Sequence, residues 1–198
     1  MLGPLAFLLA GVVAGRFLFP EQWGGAIDPV ISVALCVVVF CAGIDIGAKR
    51  LVFRKLRTYK AKVLLFPIAI ALFSVLGAVV LGWVLHIPPN EAGAIGAGVG
   101  YYSLSSGLLT GLGGVELGSL AFTANVLREV FALLLTPFFA RYWGHHTAIA
   151  PAGAASMDTV LGIIASSTDE ETALFAMING VILTMLVPIL VPLIYQYL

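Results

Sequence analysis

Long apolar stretches alternate with short polar connections along the whole chain, and this pattern predicts its helices. Each apolar stretch is close to the roughly 20 residues that a helix needs to cross a lipid bilayer. Proline, glycine and charged residues mark the connections, as is typical of a membrane–water interface. The pattern therefore predicts an all-α polytopic membrane protein with about seven transmembrane segments. We place these segments at 1–19, 27–48, 61–86, 92–112, 117–141, 148–167 and 171–197.

The composition agrees with this interpretation and excludes several classes of protein. Hydrophobic residues make up 61% of the chain and charged residues 10%, and the mean hydropathy is +1.08. Soluble domains are about 45–50% apolar and about 25% charged, so an ordinary cytosolic protein is excluded. Ten basic and ten acidic residues balance, which argues against nucleic acid as a partner. Cys36 and Cys41 point away from each other on a helix, so neither a disulfide nor a metal site is expected, and nothing indicates a cofactor.

The basic residues predict the orientation of the chain in the membrane. Seven of the ten lie in the connection between the second and third segments. Because positive charge is retained on the cytoplasmic side, the loop 49–62 is predicted to be cytoplasmic. No charged region precedes the first segment, which we therefore interpret as a permanent helix, with a signal sequence as the alternative. We expect a multi-pass protein of the cytoplasmic (inner) membrane, in contact with its lipid.

The fourth and sixth segments contain more glycine and hydroxyl residues than the others. Glycine within a helix costs roughly 1 kcal/mol in water, and unwound backbone at membrane depth is tolerated only where protein buries it or a wet cavity meets it. The glycines Gly98, Gly100 and Gly153 therefore predict two broken or re-entrant helices whose free backbone groups bind a ligand. Close helix packing through Gly96-x-x-x-Gly100 is the alternative.

The same two segments resemble each other in sequence. The stretch Gly100-Tyr-Tyr-Ser103-Leu-Ser105-Ser106 aligns with Gly153-Ala-Ala-Ser156-Met-Asp158-Thr159. A helix carrying an asparagine follows each stretch, at Asn125 and at Asn179. This similarity indicates an internal repeat, with a chance coincidence of small residues as the alternative.

The repeat predicts the organisation of the chain. Residues 91–146 and 147–198 are expected to form a transport core to which each repeat contributes one broken helix. Residues 1–90 are expected to form a three-helix scaffold or oligomerisation part.

Ionisable residues in the middle of apolar segments give the sharpest functional signal. Arg128, Glu129 and Asp158 each cost about 2.5–3.5 kcal/mol at the centre of a bilayer unless they are compensated. Consecutive residues on a helix diverge by about 100°, so Arg128 and Glu129 cannot satisfy one another. Glu129 and Asp158 facing each other across a cavity would bind a cation and take up protons, whereas an Arg128–Asp158 ion pair is the structural alternative. The candidate site also includes Ser103, Ser105, Ser156, Asn125 and Asn179.

The remaining polar residues are assigned to the membrane surface. Asp45 and Lys49 are spaced for an i,i+4 pair. Thr168 is predicted to cap the last helix, with Glu171 as its partner. Three histidines lie at segment ends beside aromatic residues, as in an interfacial belt: His86, His145 and His146.

Three linked motifs resemble those of the lysine exporter family. They are Gly100-Tyr-Tyr-Ser-Leu-Ser-Ser-Gly-Leu-Leu-Thr110, Ala121-Phe-Thr-Ala-Asn-Val-Leu-Arg-Glu129 and Gly153-Ala-Ala-Ser-Met-Asp-Thr159, with Phe40-Cys-Ala-Gly-Ile-Asp-Ile before them and Leu186-Val-Pro-Ile-Leu190 after them. The resemblance implies a secondary exporter of L-lysine and its analogue thialysine, working against protons. It also implies that Glu129 and Asp158 are the essential intramembrane acids.

The resemblance covers the C-terminal two-thirds of the longer family members, which have further helices at the N-terminus. It therefore implies the long half of a split exporter, working with a short partner subunit or as a homo-oligomer. Other readings remain open at this point: a transporter of Na⁺ or arginine, or a non-transporting membrane subunit. A channel is disfavoured because two isolated acids do not make a selectivity ring, and no set of residues supports an enzyme.

Overall fold

The structure is a computed structural model that describes residues 62–198 and four isolated positions, 33, 37, 40 and 44. Within residues 62–198 all regular elements are helices and no strand occurs. The α-helices are α1 (Lys62–Leu85), α2 (Pro89–Ala97), α3 (Tyr102–Gly113), α4 (Val115–Tyr142), α5 (Leu161–Ser167) and α6 (Glu170–Tyr197). Two 3-10 helices, His145–Ile149 and Gly153–Met157, lie between α4 and α5.

Several predictions concern residues outside this part of the chain. They are the segment 1–19, most of the segment 27–48 with Cys36 and Cys41, the Asp45–Lys49 pair and nearly all of the loop 49–62. The four isolated positions are helical, and their apolar side chains are exposed: Val33, Val37, Phe40 and Ile44.

Three of the described helices are long and apolar enough to cross a membrane: Leu64–Leu85, Val115–Tyr142 and Glu170–Tyr197. They coincide with the predicted third, fifth and seventh segments, and those three predictions are confirmed. The total of seven crossings stays a prediction.

Helix α4 turns its small and polar residues inward and its large apolar residues outward. The inward set comprises Leu117, Gly118, Ala121, Asn125, Glu129, Ala132, Thr136 and Ala140. The outward set includes Leu127, Phe131, Leu134 and Phe138. Lipid accepts large apolar side chains, whereas small residues let helix backbones approach closely. This distribution fits a membrane helix and brings an amide and an acid into the protein interior.

The glycine-rich fourth segment is interrupted. Helix α2 ends at Ala97 and α3 begins at Tyr102. Between them Val99 has φ 47° and Gly100 has φ +91°, a left-handed conformation that ends a helix. We call residues 98–101 the first interruption. Ser103 and Ser105, which the glycine density placed within a broken stretch, lie instead in the first turns of α3.

The sixth segment is divided into shorter pieces than expected. The two 3-10 helices and the short helix α5 replace a single spanning helix, and Gly153 has φ +57°. We call residues 150–160 the second interruption. An apolar cluster joins both interruptions to α1 and α6 through Ile70, Ala71, Val99, Ala154 and Leu183. Unwound backbone at this depth is thus buried in protein, as the membrane requires.

The capping residue of helix α6 lies one position later than the sequence predicted. The carboxylate of Asp169 accepts a hydrogen bond of 2.7 Å from the Thr172 N–H and so caps the helix. Thr168 does not cap it, because its hydroxyl donates to the Ile164 carbonyl at the end of α5. Asp169 has the stronger acceptor of the two side chains and adds a negative charge at the positive helix end.

Candidate functional site

The two interruptions touch each other through a backbone hydrogen bond. The Ala154 N–H donates to the Val99 carbonyl oxygen over 2.9 Å. Gly153 makes this approach feasible, since a Cβ at that position would collide with the same carbonyl oxygen. The left-handed φ and the close contact both require glycine at this residue. The chain therefore crosses over itself where both helices are broken.

Asn125 holds the first interruption together. Its Oδ1 accepts the Gly100 N–H at 2.7 Å, and its Nδ2 donates to the Ile95 carbonyl at 3.2 Å and to Ser105 Oγ at 3.4 Å. The side chain is 3% exposed. A broken helix leaves backbone groups without intrahelical partners, and this amide replaces them. Asn125, Gly100 and Ser105 are all residues that the sequence assigned to the site.

Asn179 and Ser156 hold the second interruption in a similar way. Asn179 Nδ2 donates to the Gly153 carbonyl at 3.4 Å and to Ser156 Oγ at 3.2 Å. Ser156 Oγ in turn lies 2.7 Å from the Gly153 carbonyl and 2.8 Å from that of Ala176. Both side chains are buried. The structure thus brings together the asparagine, serine and glycine predicted for this segment.

Arg128 links the second interruption to Ser74 of α1, and Ser74 in turn bonds to the end of α2. Its Nε donates to the Pro151 carbonyl at 3.2 Å and its Nη2 to the Ala150 carbonyl at 3.5 Å, while Nη1 donates to Ser74 Oγ. Ser74 Oγ donates to the Gly96 carbonyl at 2.8 Å. These carbonyls lie at the ends of α2 and of the 3-10 helix His145–Ile149, where helices carry partial negative charge. The guanidinium therefore caps the end of the 3-10 helix directly and reaches the end of α2 only through the Ser74 hydroxyl.

The proposed ion pair between Arg128 and Asp158 is not formed. The donors of Arg128 point to carbonyl and hydroxyl oxygens. Asp158 lies after the 3-10 helix Gly153–Met157, and its carboxylate accepts hydrogen bonds from the backbone N–H and the hydroxyl of Thr159. The expectation that Asp158 is a buried acid in the middle of its segment is therefore wrong: the residue follows the end of the 3-10 helix and is exposed.

Glu129 is the buried acid of the site. It lies one turn beyond Asn125 on the inward face of α4 and is 3% exposed. Within residues 62–198 no hydrogen bond or ion pair reaches its carboxylate. Arg128, the next residue, points elsewhere. The acid therefore has no positive partner within the described part of the chain.

Tyr102 connects the two acids electrostatically. The side chain at the start of α3 lies within the electrostatic range of both Glu129 and Asp158. Sequence reasoning missed this residue, although it stands inside the motif Gly100-Tyr-Tyr-Ser103. It also missed Ser74. The sequence does mark this residue, because no other hydroxyl side chain occurs between Lys62 and Leu85.

Two apolar cavities meet at the contact between Ser74 and Arg128. One, of about 330 Å³, lies between α1, α2 and α4, and the other, of about 630 Å³, lies between α1, α4 and the Ala150–Pro151 turn. Both are lined by Ser74 and Arg128 among mainly apolar side chains, the smaller cavity is also lined by Asn125, and Glu129 lines neither.

A polar pair at the end of the spanning helices lies away from this centre. His145 Nδ1 is 2.5 Å from Asp169 Oδ2. The Thr172 N–H and the His145 ring lower the pKa of Asp169 to about 2. His146 packs edge-on against Phe175 at the same end of α6, with ring centroids 5.4 Å apart. The three histidines were expected at segment ends, and two of them contact the beginning of α6.

Comparison with known proteins agrees with these motifs. The sequence model described as "Lysine exporter LysO" matches residues 5–195. "Lysine exporter LysO" of Escherichia coli K12 is 31% identical over 157 residues, which cover 79% of this chain and 52% of that protein. The "Putative lysine exporter" of Haemophilus influenzae is 31% identical over 186 residues, 94% of this chain and 93% of that protein.

The chain thus spans about half the length of its E. coli relative and nearly all of its H. influenzae relative. No solved structure matches it. The family model covers almost every residue, including both interruptions and the acids beside them. The chain therefore belongs to the lysine exporter LysO family.

Proposed function

We propose that the chain is the transport part of an exporter that moves L-lysine out of the cytoplasm in exchange for protons. Glu129 carries the proposal: it is a buried acid without a positive partner among residues 62–198. The names of the relatives, which describe lysine export, support the cargo.

The chemistry of Glu129 favours an exchange. An ionised carboxylate in the membrane interior costs about 2.5–3.5 kcal/mol unless a cation compensates it. Either an ammonium group or a proton can compensate this charge, but the two cannot occupy the carboxylate at the same time. When lysine leaves, a proton takes its place, and when the proton leaves, lysine is bound again. Competition for one acid is sufficient to couple the two flows.

Asp158 and Tyr102 form the second half of the proposed site. Lysine has two ammonium groups, and Asp158 offers a second carboxylate in the electrostatic surroundings of the same tyrosine. Asp158 is exposed, so we assign it to the entrance and Glu129 to the interior. Ser103 is exposed one residue after Tyr102 and belongs to the same entrance. The beginning of α3 would attract the carboxylate of lysine, because a helix N-terminus is positive.

The two interruptions favour a core of two repeats, 91–146 and 147–198, with the interrupted segments entering the membrane without crossing it as single helices. In support, Asn125 contacts Gly100 and Ser105, as Asn179 contacts Gly153 and Ser156. We further propose that residues 1–90 form the scaffold and that the loop 49–62 is cytoplasmic. The protein then lies in the inner membrane as a homo-oligomer or with a short partner subunit.

The proposal is tested by lysine uptake into inside-out vesicles with an acidic interior. We expect uptake by the wild type, none above empty vesicles for Glu129→Gln, and reduced uptake for Asp158→Asn. Glu116→Gln is the matched control, because Glu116 is an exposed acid at the start of the same helix. The melting temperature of each variant separates loss of transport from loss of folding.

Normal uptake by a folded Glu129→Gln variant would overturn the assignment of this residue. If competition experiments show that arginine or Na⁺ is bound in place of lysine, the proposed cargo changes and the proposed site stands. If the chain is instead a non-transporting subunit, Asp158→Asn lowers the melting temperature and the wild type shows no uptake.

A further inference from the structure

The two asparagines that hold the interruptions differ in one hydrogen bond. Asn125 Oδ1 accepts the Gly100 N–H at 2.7 Å. Asn179 is 1% exposed, yet its Oδ1 has no hydrogen-bond partner. Buried acceptors are almost always paired, so an unpaired oxygen at this position needs a reason.

A reversed assignment of the oxygen and nitrogen of the Asn179 amide does not explain the unpaired Oδ1. Its Nδ2 donates to the Gly153 carbonyl and to Ser156 Oγ. Turning the amide over would place its oxygen against the Gly153 carbonyl, two acceptors facing each other. The unpaired Oδ1 is therefore a property of this conformation of the second interruption.

The first interruption shows which donor is missing. Gly100 and Gly153 are aligned in the two segments and both have a left-handed φ, +91° and +57°. In this alignment the Gly153 N–H corresponds to the Gly100 N–H, and it gives no hydrogen bond to Asn179 Oδ1, although Asn179 Nδ2 bonds to the carbonyl of the same glycine. The bond from the glycine N–H to the asparagine oxygen is thus closed in the first interruption and open in the second.

We propose that Asn125 and Asn179 are positioning residues that close the two interruptions alternately during transport. In the conformation described, the bond from Gly100 to Asn125 is closed. In the opposite-facing conformation the bond from the Gly153 N–H to Asn179 Oδ1 is closed and the bond from Gly100 is open. The inference rests on the proposed function, since an exporter must have two conformations that face opposite sides.

The other bonds of these side chains agree with a positioning role. Asn125 Nδ2 also donates to the Ala121 carbonyl at 3.0 Å, so both polar atoms of this side chain are used within the protein. The Val99–Ala154 bond joins the interruptions directly, so a change in one is transmitted to the other. The sequence assigned Asn125 and Asn179 to substrate or proton binding. In this proposal their side chains bind backbone groups instead.

Hydrogen exchange of the full chain in lipid nanodiscs, read by mass spectrometry, tests the proposal. Two peptides are compared, one over 98–104 and one over 152–158, in the wild type, Asn125→Ala and Asn179→Ala. We expect Asn125→Ala to speed exchange at the first peptide and slow it at the second, by about threefold or more. Asn179→Ala should do the reverse.

Thr123→Ala is the control, because the exposed Thr123 hydroxyl bonds only to Ser119 within α4, and it should change neither peptide. Faster exchange at both peptides in either asparagine variant, or a change confined to the peptide of the altered repeat, would overturn the alternation. Both results indicate loss of local structure alone.

The same exchange measurement with added lysine tests the alternation separately from the proposed cargo. Lysine added to the wild type should shift the two peptides in opposite directions. If lysine shifts neither while the two variants still act oppositely, the alternation stands and the proposed cargo is wrong. If lysine shifts them and the variants do not act oppositely, the cargo stands and the alternation is wrong.

Discussion

Arg128 and Glu129 are consecutive residues, yet their side chains point to different sides of α4. The guanidinium of Arg128 reaches Ser74 on α1 and the carbonyls of Ala150 and Pro151. Glu129 points inward beside Asn125. The positive charge is used to cap helix ends, so it does not neutralise the neighbouring acid. Glu129 is thus left without a positive partner among residues 62–198.

The first prediction concerns the contact between Ser74 and Arg128. Ser74→Ala removes the links to the Gly96 carbonyl and to Arg128, and we expect a loss of about 1 kcal/mol, the usual size for a polar contact between membrane helices. Arg128→Lys retains the charge but cannot keep all three bonds, and it should cost about 2–3 kcal/mol. Thermal melts of the purified variants measure both.

The double variant shows whether the two residues act through each other. If they do, Ser74→Ala with Arg128→Lys costs less than the two single losses combined. Arg141→Lys serves as the control, since Arg141 is exposed at the end of the same helix. Strict additivity would mean that the contact contributes nothing to stability.

The second prediction concerns the crossing of the interruptions. Gly153→Ala places a Cβ against the Val99 carbonyl in a left-handed conformation, and we expect destabilisation of about 2–3 kcal/mol or more. Gly111→Ala in α3 meets no atom within 4 Å and should be neutral or stabilising by about 0.5–1 kcal/mol. Equal melting temperatures for the two variants would contradict the close approach.

The third prediction concerns Tyr102. Its hydroxyl lies in the field of both Glu129 and Asp158, so Tyr102→Phe should shift the pH dependence of lysine transport while leaving the protein folded. Tyr197→Phe is the control, because Tyr197 is 80% exposed at the end of α6. Flux assays across a range of pH measure the shift. If the pH profile of Tyr102→Phe is unchanged, Tyr102 does not influence the two acids during transport.

The fourth prediction is a pH dependence at the start of α6. The Thr172 N–H and His145 hold the pKa of Asp169 at about 2, below its ordinary value of 3.8. Because the folded state lowers this pKa, ionised Asp169 stabilises the fold fully above about pH 4, and the contribution is lost as the pH falls towards 2. The melting temperature of the wild type should therefore fall more steeply over this range than that of Asp169→Asn. Glu170→Gln should behave as the wild type does.

The positions of the interruptions were predictable, but their form was not. Clustered glycines and hydroxyl residues indicated breaks near Gly98–Gly100 and Gly153, because glycine opposes a continuous helix. Their division into 3-10 helices depends on contacts that no local pattern contains, above all the bond from Ala154 to Val99. Asp158 was expected to be buried for the same reason: the local pattern does not contain the contacts that leave its side chain exposed.

The sequence by itself determined the class of protein and three of its spanning helices, and it singled out the residues that we propose for the site. Hydrophobic runs and buried charges act locally, and their cost in a membrane does not depend on the fold. Only the tertiary structure decided which groups satisfy one another: Arg128 with Ser74 and the Ala150 and Pro151 carbonyls, Asn125 with Gly100, and Glu129 with none in residues 62–198. Hydrogen bonds join residues that are distant in the chain, and their partners are chosen by packing.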